Sequence, residues 1–334
     1  MPRICVLGSG IIGLASATLL VDAGYEVVVV ARDMPGDPAG LSWASPSAGA
    51  IIQPGPDLKP ASRELQAESF KYYWALANRD PTSGVQIIPT KLYLDISPTE
   101  AGIWGETVFP GYRNLKKDEL PASVPFGVTM KACAANPTAL LPWLKNSLEE
   151  RGVKFIRFTV TSLEQLLELT NADALVNATG LGARTLANDP NVVPVGGQTM
   201  FIRNKAHWDH IILRQGGAEY TYAIPRLLSG GVIVGGTRKV GSVDTSVDTE
   251  LKKDILRRIN RIAGDAFADV DVEKDVEDIV GFRPGREGGY RLEREGKIIH
   301  AYGFDGKGYA YSFGAAKKVT KMVGELFRKT KANL

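Results

Sequence analysis

The sequence predicts an α/β fold. A parallel-sheet domain is assembled from the start, middle and end of the chain, and a strand-rich domain is inserted between those pieces. Three observations predict it. The first 31 residues read as strand, glycine turn, helix and strand, with Gly8-Ser9-Gly10-Ile11-Ile12-Gly13 at the turn. Far downstream, Ala174–Ala178 reads as another apolar strand entering Thr179-Gly180. Near the end, Ile298 and Ile299 run into a turn carrying Gly303, Gly306 and Gly308, and a helix from about Gly314 closes the chain.

Taken in order, Ile4–Leu7 is a strand and Ile11–Ala23 a helix stopped by Gly24. Val27–Ala31 is a nearly unbroken run of valine, as a parallel strand covered on both faces requires. Residues 33–60 are rich in Pro, Gly and Ser and read as irregular chain. A helix over Ser62–Asn78 stops at Asp80-Pro81, and residues 85–135 read as short strands broken by prolines. Helix Pro142–Arg151, with Gly152 after it, leads into strand Val153–Phe158. Residues 192–240 read as strands with turns, and Asp248–Ala263 as an amphipathic helix on Leu251, Ile255, Leu256, Ile259 and Ile262. Val280–Leu292 reads as a strand pair around glycine. The closing helix has one apolar face of Val319, Met322, Val323, Leu326 and Phe327. This places residues 1–54, 138–190 and 280–334 in the parallel-sheet domain, and 55–137 and 191–279 in the inserted one.

Composition narrows the function classes. With 334 residues the chain is long enough for two cores. Forty Lys and Arg against 37 Asp and Glu, scattered rather than striped, do not suit a nucleic-acid partner. Two distant cysteines, Cys5 and Cys133, exclude a disulfide framework or a Cys-rich metal site, and no metal ligand set is assigned. No apolar run approaches the ~20 residues of a membrane span. The apolar stretch Ile11–Val21 follows a strand and contains glycine, so it reads as mature structure rather than a signal peptide.

Gly8-Ser9-Gly10-Ile11-Ile12-Gly13 fits the dinucleotide fingerprint in its required strand–turn–helix context, which makes the domain Rossmann-like. The first glycine makes the turn, and the second lets a pyrophosphate approach the helix N-terminus. The third lets helix and sheet pack closely. The acidic residue expected at the end of the second strand is displaced: Ala31 ends the strand, Arg32 follows and Asp33 comes next. Asp33 is either the ribose ligand or a solvated loop carboxylate. The fingerprint does not separate NAD from FAD.

The run Ile298-Ile299-His300-Ala301-Tyr302-Gly303-Phe304-Asp305-Gly306-Lys307-Gly308-Tyr309-Ala310 resembles the C-terminal motif of the D-amino-acid oxidase family. It departs at Asp305, where that family has a small residue. Val176-Asn177-Ala178-Thr179-Gly180 resembles the A-T-G element of FAD oxidoreductases, and Ser45-Pro46-Ser47-Ala48-Gly49 and Gly197-Gln198 resemble flavin-approaching segments of the same family. The resemblance implies FAD; with only Cys5 and Cys133, and no His placed beside the flavin by a motif, the cofactor is expected to be non-covalent. Its cofactor contacts would be Gly8, Gly10, Ile11, Ile12, Gly13, Arg32, Asp33, Ser45, Ala48, Gly49, Val160, Ala178, Thr179, Gly180, Gly303, Gly306, Gly308, Tyr309 and Ala310.

Gly281-Phe282-Arg283-Pro284 resembles the family's G-[LF]-R-P segment, which assigns Arg283 to the substrate α-carboxylate. A guanidinium suits that task because its planar fork grips a carboxylate bidentately and stays charged. Tyr222-Ala223-Ile224-Pro225 resembles the Tyr-x-Ile-Pro segment and implies that Tyr222 also bonds the α-carboxylate; Tyr220 is the alternative. The Gly306 carbonyl corresponds to the acceptor for the substrate amine. Gly235-Gly236-Thr237-Arg238 resembles the D-aspartate oxidase branch, which implies that Arg238 binds a side-chain carboxylate. Arg214 sits near a second arginine of that branch, at a spacing to Tyr222 that differs by one. Both arginines are otherwise solvent-facing. His207, His210 and His300 are assigned structural roles.

The implied activity is oxidation of acidic D-amino acids, with hydride transfer from Cα to flavin N5 and O2 as acceptor. No side chain is assigned as acid or base. Rival readings are an oxidase of neutral D-amino acids, a glycine or sarcosine oxidase, and a flavin-free dinucleotide-binding regulatory protein. The final Ala332-Asn333-Leu334 loosely echoes a peroxisomal import address, so an import receptor is an expected partner, with cytoplasmic location the alternative. An oligomer is compatible with the sequence.

Overall fold

A computed structural model describes residues 1–55, 59–95, 104–205, 207–217 and 219–331, with side chains through Arg328. The strands are β1 (Arg3–Leu7), β2 (Glu26–Ala31), β3 (Ile51–Ile52), β4 (Val85–Leu94), β5 (Arg113–Asn114), β6 (Phe126–Ala135), β7 (Lys154–Arg157) and β8 (Ala174–Asn177). They continue with β9 (Val192–Ile202), β10 (Ile211–Gln215), β11 (Thr221–Arg226), β12 (Gly231–Gly235), β13 (Lys239–Val240), β14 (Val276–Arg286), β15 (Arg291–Glu295) and β16 (Ile298–Tyr302). The helices are α1 (Ile11–Asp22), α2 (Pro60–Arg79), α3 (Pro137–Glu150), α4 (Leu163–Thr170), α5 (Ala183–Leu186), α6 (Thr249–Ala263) and α7 (Gly308–Lys331).

Two sheets organise these elements. The smaller runs β15-β16-β8-β1-β2-β7, all parallel except β15. Both of its faces are covered, which is why its strands read as unbroken apolar runs. Ile4, Val6, Val27 and Val29 face the core shared with α1, α3 and α7, while Cys5, Leu7, Val28 and Val30 pack on Leu163 and Leu166 of α4. The larger sheet runs β13-β9-β12-β11-β10-β4-β6-β3, with β14 also on β9 and β5 on β6. Helix α6 covers one face of it through Ile255, Leu256, Ile259 and Ile262. Leu213, Tyr222, Ile224 and Ile233 point to the other face.

Several expectations change. Residues 85–135 hold two ten-residue strands, β4 and β6, rather than short broken ones. Pro89 is tolerated inside β4 because it is exposed and lies one residue before β10 begins to pair at Thr90, so its missing N–H costs no ladder bond. Helix α3 starts at Pro137, five residues before the expected start, where Asn136 caps it by accepting from Thr138 N. Helix α7 starts at Gly308 rather than near Gly314. Val280–Leu292 is not a hairpin: β14 pairs with β9 in the large sheet, whereas β15 pairs with β16 in the small one. The boundary at residue 280 therefore falls inside a strand of the large sheet. Among the described residues no helix is long and apolar enough to cross a membrane. The Ala332-Asn333-Leu334 address lies outside the described residues.

Candidate active site

A cavity of about 1280 Å³ opens where the carboxyl ends of β1 and β8 meet the large sheet. That exceeds the ~300–1,000 Å³ that holds a drug-sized ligand, leaving room for a dinucleotide and a small substrate. One end is the fingerprint turn. Gly8 has φ +108°, and a Cβ there would meet Ala178 O at 2.6 Å. A Cβ on Gly13 would come within 2.9 Å of the Gly8 carbonyl carbon. Gly13 does not line the cavity; it allows α1 to pack on the turn, as the third glycine of the motif should. Helix α1 opens at Gly10 with no side-chain cap, and Ser45 Oγ accepts from Ile11 N at 3.0 Å. A helix N-terminus bordered by glycine suits a pyrophosphate.

The remaining expected cofactor residues converge here. Gly8, Gly10, Ile11, Ile12, Arg32, Asp33, Ser45, Ala48, Gly49, Val160, Ala178, Thr179, Gly180, Gly303, Gly306, Gly308, Tyr309 and Ala310 all line the cavity. Asp33 does so with its carboxylate held by Arg32 (2.6 Å). The turn after β8 is braced from behind. Asn177 Oδ1 accepts from Thr179 N and Oγ1, so its Nδ2 faces His300 Nδ1 as donor at 3.3 Å. His300 is thus a buttress between the two glycine-bearing turns and is absent from the cavity lining. Tyr309 Oη donates to Ser45 O at 3.0 Å, tying the terminal helix to the 45–49 loop.

The opposite end is built from β9, β11, β12 and β14. Arg283 on β14 lies along β9 so that its guanidinium covers Gly197. It donates to Thr237 O at 3.0 Å, and a Cβ on Gly306 would stand 3.3 Å from its Cδ. Tyr222, 4% exposed, packs against Gly235 and Gly236; a Cβ on Gly236 would meet its Oη at 2.8 Å. Burial pushes the Tyr222 phenol above its ordinary value, and the Arg283 guanidinium pulls the other way. The alternative phenol, Tyr220, also lines the cavity, with its ring edge-on to Tyr222 at 5.4 Å. Arg238 sits at the opening, paired with Asp305 at 2.7 Å.

Arg214 is a correction. Its pairing with Thr221 and that of Leu213 with Tyr222 put Leu213 on the cavity face and Arg214 on the other. There it is fully engaged by Asp95 (2.8 Å), Glu219 (2.7 Å) and Ser123 O (3.0 Å). Because side chains alternate along a strand, Gln215 faces the cavity instead. The residues not anticipated are those whose signal is only orientation: Trp43, Gln53, Thr199 and Gln215 line the cavity. Trp43 Nε1, Gln53 Oε1, Thr199 Oγ1 and Gln215 Nε2 are buried there without a protein partner. Buried polar atoms need partners, so these four fit a ligand rich in polar atoms. With the glycine cradle, the residues present fit FAD. Among the described residues no His, Cys, Asp and Glu cluster suits a metal ion.

The chain is similar along its length to known proteins. The chain is 29% identical over 360 residues to a D-amino-acid oxidase of Fusarium vanettenii, covering 99% of each. It is 32% identical to a D-aspartate oxidase of Talaromyces thermophilus, covering 96% of this chain and 95% of that one. Among solved structures, glycine oxidase from Geobacillus kaustophilus superposes with a TM-score of 0.73 at 16% identity, covering 97% and 95%, a likeness of fold alone. The family model for FAD-dependent oxidoreductases of the DAO type matches residues 3–322, and the chain belongs to that family.

Proposed function

We propose that the protein oxidises D-amino acids with non-covalently held FAD, favours acidic ones, and releases the 2-oxo acid, ammonia and hydrogen peroxide in the presence of O2 and water. The observation that carries this is the meeting of Arg283, Tyr222 and the Gly306 backbone at one end of a cavity whose other end is the fingerprint turn. When bound, FAD supplies the hydride acceptor and the route to O2. The residues of the chain bind and orient. Arg283 grips the α-carboxylate as a charged fork and Tyr222 donates a second bond, which fixes the Cα–H direction. The Gly306 carbonyl takes the amine. Non-covalent binding is supported by the thiols. Cys5 and Cys133 are buried, their pKa values pushed up to about 12 by burial, and neither lines the cavity.

Acidic preference is supported by the basic rim of Arg238, Lys239 and Lys307, which draws a second carboxylate toward the opening. One observation favours a second reading, oxidation of neutral D-amino acids: Arg238 already has a carboxylate partner in Asp305. A peroxide-coupled comparison of D-aspartate and D-alanine decides between them. Higher kcat/KM for D-alanine rejects the acidic reading, and turnover of neither rejects both. Peroxisomal import rests on the terminal tripeptide alone, and is tested by locating a tagged chain with and without Ala332-Asn333-Leu334.

A further inference from the structure

We infer that Asp305 is a specificity-determining residue: its carboxylate competes with the side-chain carboxylate of an acidic substrate for Arg238. This rests on the oxidase reading above, and deepens it. The pair is placed for that contest. Thr237, next to Arg238, accepts from Arg283 Nη1 at 3.0 Å, and Gly306, next to Asp305, abuts the Arg283 stem. Each member of the ion pair is therefore one residue from a group touching the α-carboxylate clamp. A substrate gripped by Arg283 would share one cavity with this pair.

The carboxylate is held in place. Asp305 has φ +53°, its Oδ1 accepts from Gly306 N at 2.7 Å, and its Oδ2 accepts from Arg238 at 2.7 Å. Asp is one of the few non-glycine residues that enter this conformation readily. The partner is not locked. The Arg238 side chain is 54% exposed, against 27% for Asp305, and exposed pairs are weak. A second carboxylate can replace Asp305 at the guanidinium, but it then stands beside a fixed like charge, which costs affinity. The departure of this chain from the small residue seen in the related motif thus tunes side-chain choice without touching the α-carboxylate clamp.

Asp305→Asn removes the charge and keeps both the Gly306 bond and the left-handed backbone, which Asn also tolerates. The test uses FAD-loaded protein and two unreactive ligands, succinate and propionate, which are aspartate and alanine without the amine. Their dissociation constants are read by calorimetry and by the flavin difference spectrum. Succinate should bind about three- to tenfold tighter to the variant, propionate should shift less than about twofold, and the D-aspartate to D-alanine ratio of kcat/KM should rise in step. Unchanged succinate binding, or equal shifts for both ligands, overturns the inference and leaves Asp305 a turn residue. Wild-type protein that oxidises no D-amino acid overturns the oxidase reading instead, while the succinate and propionate titrations still judge Asp305.

Discussion

Gly197→Ala moves the guanidinium of Arg283, the proposed α-carboxylate clamp, without deleting it. Gly197 lies under the Arg283 guanidinium. An added Cβ would stand 2.8 Å from Nη2 and 2.9 Å from Cζ, and closer still to Nη1. Carbon and nitrogen rest near ~3.5 Å, so the guanidinium must retreat by most of an ångström. The retreat is cheap for folding, because the displaced atoms end a flexible side chain. It is expensive for function, because a misplacement of about 1 Å at a reacting site costs up to ~10²-fold. The bond from Arg283 to Thr237 O is disturbed by the same movement. A charge-assisted hydrogen bond contributes about 1.5–3 kcal/mol, or roughly one to two decades in kcat/KM. The loss should be shared by D-aspartate and D-alanine, which present the same α-carboxylate. The assay is peroxide-coupled turnover of both, beside the melting temperature and flavin content of the variant. Wild-type kcat/KM in the Gly197→Ala variant would show that Arg283 does not hold the substrate. Loss of FAD would show that the strand carries the cofactor rather than the clamp.

Arg283→Leu should be harsher, because it strands the substrate carboxylate: about 3–5 kcal/mol, or roughly two to four decades in kcat/KM, with FAD retained; near-normal turnover would remove Arg283 from the site. Acid should loosen the turn braces through His300. Burial, then Arg291, hold its imidazole below the ordinary 6.5, against the pull of Glu295 and Glu293. The unfolded chain therefore binds the proton first, and stability falls as pH drops below about 6.5. Melting curves from pH 7 to 5 should fall more steeply for the wild type than for His300→Gln, and parallel slopes would contradict this. Gly314→Ala would drive a Cβ to 2.5 Å from Leu65 Cα and 2.7 Å from its carbonyl carbon, where α7 crosses α2. Backbone cannot yield as a side chain does, so about 1–3 kcal/mol of stability should be lost, read as a lower melting temperature; an unchanged one would mean the helices part without cost.

What the sequence makes legible follows from how each feature is encoded. The turn at Gly8–Gly13 is written in residue type, because only glycine lets Gly8 lie against Ala178 and Gly13 against Gly8. The β2 valines announce a strand covered twice. The place of Arg283 and Tyr222 in the cavity follows from motifs fixed in position relative to the strands that carry them. Arg214 fails because its role depends on strand parity. The register of β10 on β11 sets which of Leu213, Arg214 and Gln215 faces inward, and a spacing that differs by one exchanges the faces. The break between β14 and β15 is hidden for another reason. Gly288 and Gly289 look like a hairpin turn, yet each flanking strand finds its partner elsewhere. Trp43, Gln53 and Thr199 carry no motif at all; only their unpartnered atoms in a shared cavity reveal them.

Arg226 gives the two sheets a common fate. Its guanidinium, 5% exposed at the end of β11, donates to Ala48 O at 2.9 Å, Gly49 O at 3.1 Å and Ala135 O at 3.1 Å, and burial lowers its pKa to about 10. A strand of the large sheet thereby holds the carbonyls of the loop that borders the fingerprint turn. The loop lacks this fastening until β11 is in register, and without the loop the Arg226 cation keeps only Ala135 O of these three carbonyls. Neither half is a finished module, although the N-terminal βαβ unit looks like one in sequence. Attempts to graft the first 54 residues onto another scaffold would leave this clasp behind, and with it the shape of the cofactor entrance.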